Sequence, residues 1–192
     1  MDEKLLSGVL FAGGFDGPEL SRALVSKLGS PIMALEAEEN MLLDAVGSPA
    51  AVNYLKIIAA LASRRVSDRF AFGKRHTEEE IEEYLKSIFF GLAVETVYVI
   101  SFDKSGRAVF SEKAGEGSVN GTNVLPRRIV EIAKRRGAAS VILAHNHPSG
   151  YAIASEDDVV GSAVLRELLF AAGIKLVAHY VVAGSDCTKI DI

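Results

Sequence analysis

The sequence predicts a mixed α/β domain, with helices packed around a curved sheet, preceded by an all-helical region. Three observations lead there. Residues 1 to about 65 read as short apolar-faced helices broken by glycine. Beyond Thr77, β-rich runs alternate with helical stretches. Hydrophobic residues make up 49% of the 192-residue chain, enough for a real core, beside an ordinary 24% of charged residues. The length suits a compact domain with a smaller companion, set here as a helical region over 1–75 and a mixed domain over 76–192.

In the helical region, Leu5, Leu6, Val9 and Leu10 start one apolar face, and the Phe15-Asp16-Gly17-Pro18 turn leads to a second at Leu20, Ala23, Leu24 and Leu28. A third run, Met41–Ala45, ends at Val46-Gly47-Ser48-Pro49, and a fourth helix is expected from Ala50 to Arg64. Two helices hinged on Val46-Gly47-Ser48 could form a helix-hairpin-helix, whose amides contact phosphate. A plain packing hairpin is preferred, because the hinge holds no arginine or lysine. Residues 66–76 read as a linker or exposed helix end, with His76 at the surface.

Thr77 is a good N-cap, with Glu80 at the reciprocal capping position. Ile81, Tyr84, Leu85, Ile88 and Phe89 then mark an amphipathic helix, which Gly91 can end. Val94–Phe102 is rich in β-formers, and Asp103-Lys104-Ser105-Gly106 turns into a second strand from Arg107 to about Ser111. Gly115, Gly117 and Gly121 bracket a less regular segment. Pro126 fits the first turn of a helix burying Ile129, Val130 and Ala133 and fading at Gly137. Ala139–Ala144 is a short apolar strand, Ser155 to about Ala172 a helix with apolar residues on two sides, and Ile174–Ala183 a strand. Cys187–Ile192 adds a last edge.

Bulk properties narrow the function. A net charge of −4 gives no strong argument for nucleic acid, though a local basic patch stays open. The lone Cys187 rules out an intrachain disulfide framework and reads as a small filler, which fits a reducing compartment. No uncharged apolar run of about 18 residues marks a membrane span, and the acidic start does not resemble a secretory signal. The expectation is a cytoplasmic protein without a membrane partner. Oligomerisation through the apolar residues of the 159–170 helix stays open.

The chemistry concentrates at His145-Asn146-His147, followed by Ser155 and Asp158. If the strand persists past Ala144, its alternation sets both histidines on one face. Two imidazoles, the Asp158 carboxylate and water make an open catalytic zinc site, and the Pro148-Ser149-Gly150 turn lets the chain return over the histidines. Other readings stand beside this one: Ser155 as a helix N-cap with Asp158 in the first turn, and a surface turn with unrelated histidines. A cap and a ligand role are compatible. Hydrolysis also needs a base. Glu95 shares a strand face with Val97 and Val99, either at an exposed strand end or aimed into a cleft, where it would take a proton from water and pass it to a leaving amine. Ser155 could donate to the developing oxyanion.

The pattern His-x-His-x7-Ser-x2-Asp with an upstream glutamate resembles the signature of the JAMM (MPN, JAB) metalloproteases. The run His145-Asn146-His147-Pro148-Ser149-Gly150 resembles specifically the bacterial RadC branch. Val94-Glu95, Gly117-Ser118-Val119-Asn120 and Pro126-Arg127-Arg128 follow that branch in order, over about 80–192. The resemblance implies a JAMM/MPN-like (cytidine-deaminase-like) mixed sheet flanked by helices. It implies Zn2+ held by His145, His147 and Asp158, with Glu95 as general base and Ser155 beside the tetrahedral intermediate. It also implies cleavage of a peptide or isopeptide bond in a peptide or protein substrate. The family's supposed DNA-repair role keeps an alternative in play, a DNA-associated binding module whose metal site is a scaffold or inactive. Departures are Ala154 where the family usually has proline, Ala178 where it has aspartate before His179, and a shorter tail after Gly184. His179 is therefore expected to pack or support ligands, not to be one.

Overall fold

The computed structural model describes residues 2–117 and 124–191. Gly121 and the Ser118-Val119-Asn120 part of the family likeness lie outside them, as does Ile192 at the end of the expected last edge. The chain divides into two compact units, Met1–Arg65 and Val66–Ile192.

The first unit is all helical: α1 (Glu3–Ala12), α2 (Gly17–Leu28), α3 (Pro31–Glu36), α4 (Glu39–Val46) and most of α5 (Pro49–Arg69). Short polar side chains start three of them. Asp2 accepts from Leu5 N at 2.8 Å, Asp16 from Glu19 N at 3.0 Å and Ser30 from Met33 N at 3.1 Å. Leu6, Leu10, Leu24, Leu28, Ala34, Leu42, Val52 and Leu55 form the core. Gly17 lets α2 start against α1, since a Cβ there would lie 2.1 Å from the Ser7 carbonyl oxygen. Between α4 and α5, Gly47 takes a left-handed φ of 63° and Ser48 accepts from Ala51 N at 3.3 Å. Helix α3 was not foreseen, although Ser30-Pro31 is a sound start signal; its six residues are too few to show a period.

Residues 66–69, read as a linker, continue α5 to Arg69. His76 is not at the surface. Its ring stacks on Phe70 at 3.9 Å, Nε2 donates to Ala71 O at 2.9 Å, and its side chain is 7% exposed. An aromatic neighbour six residues away gives no periodic signal, so sequence spacing did not reveal this contact.

The second unit is a five-stranded mixed sheet with helices on both faces. The strands are β1 (Thr96–Phe102), β2 (Ala108–Glu116), β3 (Ser140–Asn146), β4 (Lys175–Ala183) and β5 (Asp186–Lys189), in the order β2-β1-β3-β4-β5. Among the described residues only β3 and β4 run parallel, joined by α8 (Glu156–Ala171). Strand alternation sorts the core. Val97, Val99, Val141, Leu143 and Leu176 meet α7 (Val124–Arg135) and α8 through Ile129, Ile132, Leu165 and Leu169. On the other face Ile100, Phe102, Ile142, Ala144, Tyr180 and Val182 meet α6 (Glu78–Phe89) through Ile81, Tyr84, Leu85 and Phe89. The Thr77–Glu80 capping box starts α6 as expected.

Strand β2 runs past Ser111 to Glu116, with Gly115 paired to Val97 beside a register shift at Val97/Tyr98. The extra residue, Ala114, lies in β2 itself, and this bulge beside Gly115 lets the strand continue. Among the described residues no helix is long and apolar enough to cross a membrane.

Candidate metal centre

The centre lies at the end of β3, the middle strand of the sheet. His147 falls just beyond β3, yet its N–H donates to Val182 O at 2.8 Å, as the next rung of the ladder would. The backbone therefore stays extended, and His145 and His147 share a face. Gly150, at φ 86°, then closes the turn by donating to His147 O at 3.2 Å. The returning chain starts α8 at Ser155, which caps the helix.

Asp158 sits in the first turn of α8, 2% exposed. Its Oδ1 lies 3.2 Å from His145 Nε2, and its Oδ2 lies 3.4 Å from His147 Nε2. Ser155 holds the same carboxylate twice, from its N–H at 2.8 Å and its hydroxyl at 2.6 Å, and accepts from Asp158 N at 3.2 Å. The capping box and the cluster are one arrangement: the cap fixes the carboxylate that faces the histidines. Burial pushes the Asp158 carboxyl up, and the two hydrogen bonds from Ser155 pull it down, below the usual carboxylate range.

Glu95 directly precedes β1. Continuing the Val97–His145 pairing by two residues sets it across from His147. Ligand atoms of Glu95, His145, His147 and Asp158 all lie within 4.8 Å of one another. Glu95 Oε1 is buried and has no hydrogen-bond partner among the described residues.

Behind the cluster, a buried relay fixes the protons. The hydroxyl of Ser162 donates to the Asp158 carbonyl, which can only accept. Ser162 must then accept from His179 Nδ1–H, at 2.6 Å. That leaves His179 Nε2 to accept from His145 Nδ1–H, at 2.8 Å. With neutral rings, His145 Nε2 carries no proton. His147 reaches the same state, because its Nδ1 faces Tyr151 O at 3.2 Å. Burial, then the neighbouring His145, push His179 down to about 3, so it stays neutral.

Proton-free acceptors thus converge. His145 Nε2 and His147 Nε2 are 2.9 Å apart, with carboxylate oxygens of Asp158 and Glu95 beside them. Such a set is repulsive unless positive charge sits between its members. Imidazole nitrogen and carboxylate oxygen are the ordinary donors to a divalent cation of the zinc class, and the orphaned Glu95 oxygen fits the same need. The cluster can coordinate a metal ion.

Sequence reasoning brought Glu95, His145, His147, Ser155 and Asp158 to one place, and the structure has them there as neighbours. It missed two supporting side chains. Ser162 had one signal, its position a helical turn after Asp158. Asn146 had another: between two same-face histidines it must point to the opposite, apolar face. There it is 4% exposed and bonds Leu92, Val94 and Thr96.

A helix-flanked mixed sheet with a His/His/Asp/Glu cluster at the end of its middle strand defines a JAB-type domain with a metallohydrolase-like site. Residues 75–190 match the model of the RadC-like JAB domain. The chain is 31% identical over 189 residues to a UPF0758 protein of Herminiimonas arsenicoxydans, covering 96% of this chain and 84% of that protein. A UPF0758 protein of Chromobacterium violaceum is 32% identical over 188 residues, covering 95% and 84%. Another, from Idiomarina loihiensis, is 31% identical over 189 residues, covering 96% and 84%. The chain belongs to the RadC family, within the JAB/MPN superfamily.

Proposed function

We propose that the second unit is a zinc-dependent hydrolase of peptide or isopeptide bonds. The observation that carries this reading is Glu95, which has a buried oxygen without a partner among the described residues and brings a carboxylate oxygen within 4.8 Å of the His145, His147 and Asp158 ligand atoms. His145, His147 and Asp158 would hold the ion. When bound, zinc acts as a Lewis acid that polarises water and a carbonyl oxygen.

The chain's own residues supply the rest. Glu95 Oε1 accepts the proton of the attacking water as its oxygen bonds to the carbonyl carbon, and returns it to the departing amine nitrogen as the C–N bond breaks. An oxygen with no competing donor among the described residues suits both steps. Ser155 is exposed at the mouth of the cluster. Its hydroxyl proton rests on Asp158, and rotation about Cα–Cβ redirects it toward a substrate oxyanion. The loop that carries His147 also lines an open cleft of about 430 Å³, with Tyr151, Ile153, Lys86 and Asp186 on its walls. An extended chain of mixed polarity suits that cleft.

The helical unit supplies little support for a phosphate-binding role. Its Val46-Gly47-Ser48 hinge bears no cation, Lys27 pairs with Asp44, and Lys56 donates to Ala37 O at 2.6 Å.

Cleavage of a peptide library by zinc-loaded full-length protein tests the proposal, with Glu95→Gln as control. Removing the base is expected to lower the rate on the order of 100-fold or more. Equal cleavage by E95Q would overturn the mechanism.

A further inference from the structure

We infer that Asn146 is a positioning residue that sets Glu95 against the ligand cluster, so that one tripeptide, His145-Asn146-His147, fixes both the ion and the base that works beside it. The inference rests on reading Glu95 as the base.

The segment that carries Glu95 is irregular. Leu92, Ala93 and Val94 precede β1, and Leu92 and Val94 are 37% and 55% exposed, so no core packing pins them. The Asn146 side chain brackets the base from both sides. Its Oδ1 accepts from Thr96 N, one residue after Glu95, at 2.8 Å. Its Nδ2 donates to Val94 O, one residue before, at 3.3 Å, and to Leu92 O at 3.2 Å. Thr96 Oγ1 adds a bond to Val94 O at 2.9 Å, and Gly117 N holds the carbonyl of Glu95 itself at 2.9 Å. The chain around Glu95 is thus tied down while its Oε1 has no bond among the described residues.

The chemistry requires an amide. Only a side chain with one acceptor and a two-proton donor on a short stem can take an N–H and give to two carbonyls at once. Aspartate has the same shape, but it loses both donors and sets a negative group against two carbonyl oxygens. Glutamine adds a methylene in a buried space. Strand alternation makes the coupling direct: because His145 and His147 face the cluster, Asn146 faces the opposite way, onto the backbone that delivers the base. A displacement of roughly 1 Å in such a group can cost on the order of 100-fold in rate.

Cobalt(II)-loaded full-length protein tests this without relying on turnover, through the pH midpoint of its visible absorption. The variants are E95Q, Asn146→Asp, Asn146→Ser and the double variant E95Q/N146S. The expected result is that E95Q shifts the midpoint, the neutral N146S shifts it in the same direction, and N146S adds nothing in the E95Q background, with cobalt stoichiometry unchanged throughout. On a cleaved peptide, N146D should lower kcat by about 10- to 100-fold with KM little changed. If E95Q moves the midpoint while folded N146D and N146S do not, the inference is wrong and the base reading stands. If E95Q itself has no effect, the base reading fails and takes the inference with it. Loss of fold in both Asn146 variants, read by circular dichroism, would make the residue merely structural and overturn the inference.

Discussion

Replacing Ser162 by alanine removes the last group of the relay behind His145. Ser162 and His179 are both 0% exposed, so water cannot replace the lost hydroxyl. His179 Nδ1–H loses its acceptor, and a buried donor left unsatisfied costs about 1–3 kcal/mol. The Asp158 carbonyl loses one of its donors as well, worth about 1 kcal/mol. The sum is roughly 2–4 kcal/mol, which for a chain of this length lowers the thermal midpoint by about 4–16 °C. His179 can recover its bond only by turning its ring, and that breaks the contact fixing the proton of His145. Loss of such an outer partner weakens metal binding about 10- to 100-fold. Thermal unfolding by circular dichroism and zinc competition against a chromophoric chelator measure the two effects. Midpoint and zinc affinity both unchanged in S162A would refute the relay and the proton assignment built on it.

Three further outcomes follow from the packing. Gly17→Ala drives a methyl into the Ser7 carbonyl at 2.1 Å and should cost about 1–3 kcal/mol by urea unfolding; wild-type stability would show that α1 and α2 can separate freely. Tyr180 Oη donates to Glu78 at 2.8 Å, and with Lys189 holds that carboxyl below its usual value of 4.5. A depressed folded value stabilises above the ordinary value and is lost as pH falls through the folded one. Wild type should therefore lose stability below pH 4.5 more steeply than Tyr180→Phe, and parallel pH curves would contradict it. Burial and then Glu82 push the Cys187 thiol up to about 12, so alkylation by iodoacetamide at pH 8 should be more than about tenfold slower than for free cysteine. A free-cysteine rate would place the thiol in water.

Much of the second unit was legible because local and long-range signals agree there. Thr77 and Glu80 bracket a capping box, and Ile81 to Phe89 repeat at helical spacing on a face the sheet covers. The ligand set was legible for a related reason. Strand alternation joins His145 to His147, and a helix cap joins Ser155 to Asp158, so only one turn had to be guessed. Glu95 was harder. It lies outside β1, and what brings it to the cluster is a pairing register and the Asn146 amide, both long-range contacts. Ser162 and His179 meet across α8 and β4 for the same reason, being 17 positions apart in the chain. The end of α5 and the extent of β2 were misread because polar residues continue α5 and a glycine sits inside β2. Pairing with β1 overrides the glycine signal in β2.

Glu95, His145, His147 and Asp158 form a set of acceptors that a divalent cation would complete. The most direct measurement is zinc content by elemental mass spectrometry of full-length protein equilibrated with zinc and then desalted, beside His147→Ala and Asp158→Asn. A single ion per wild-type chain is expected, lost from both variants while they remain folded. A wild-type chain that retains no zinc, or variants that retain as much as wild type, would contradict it.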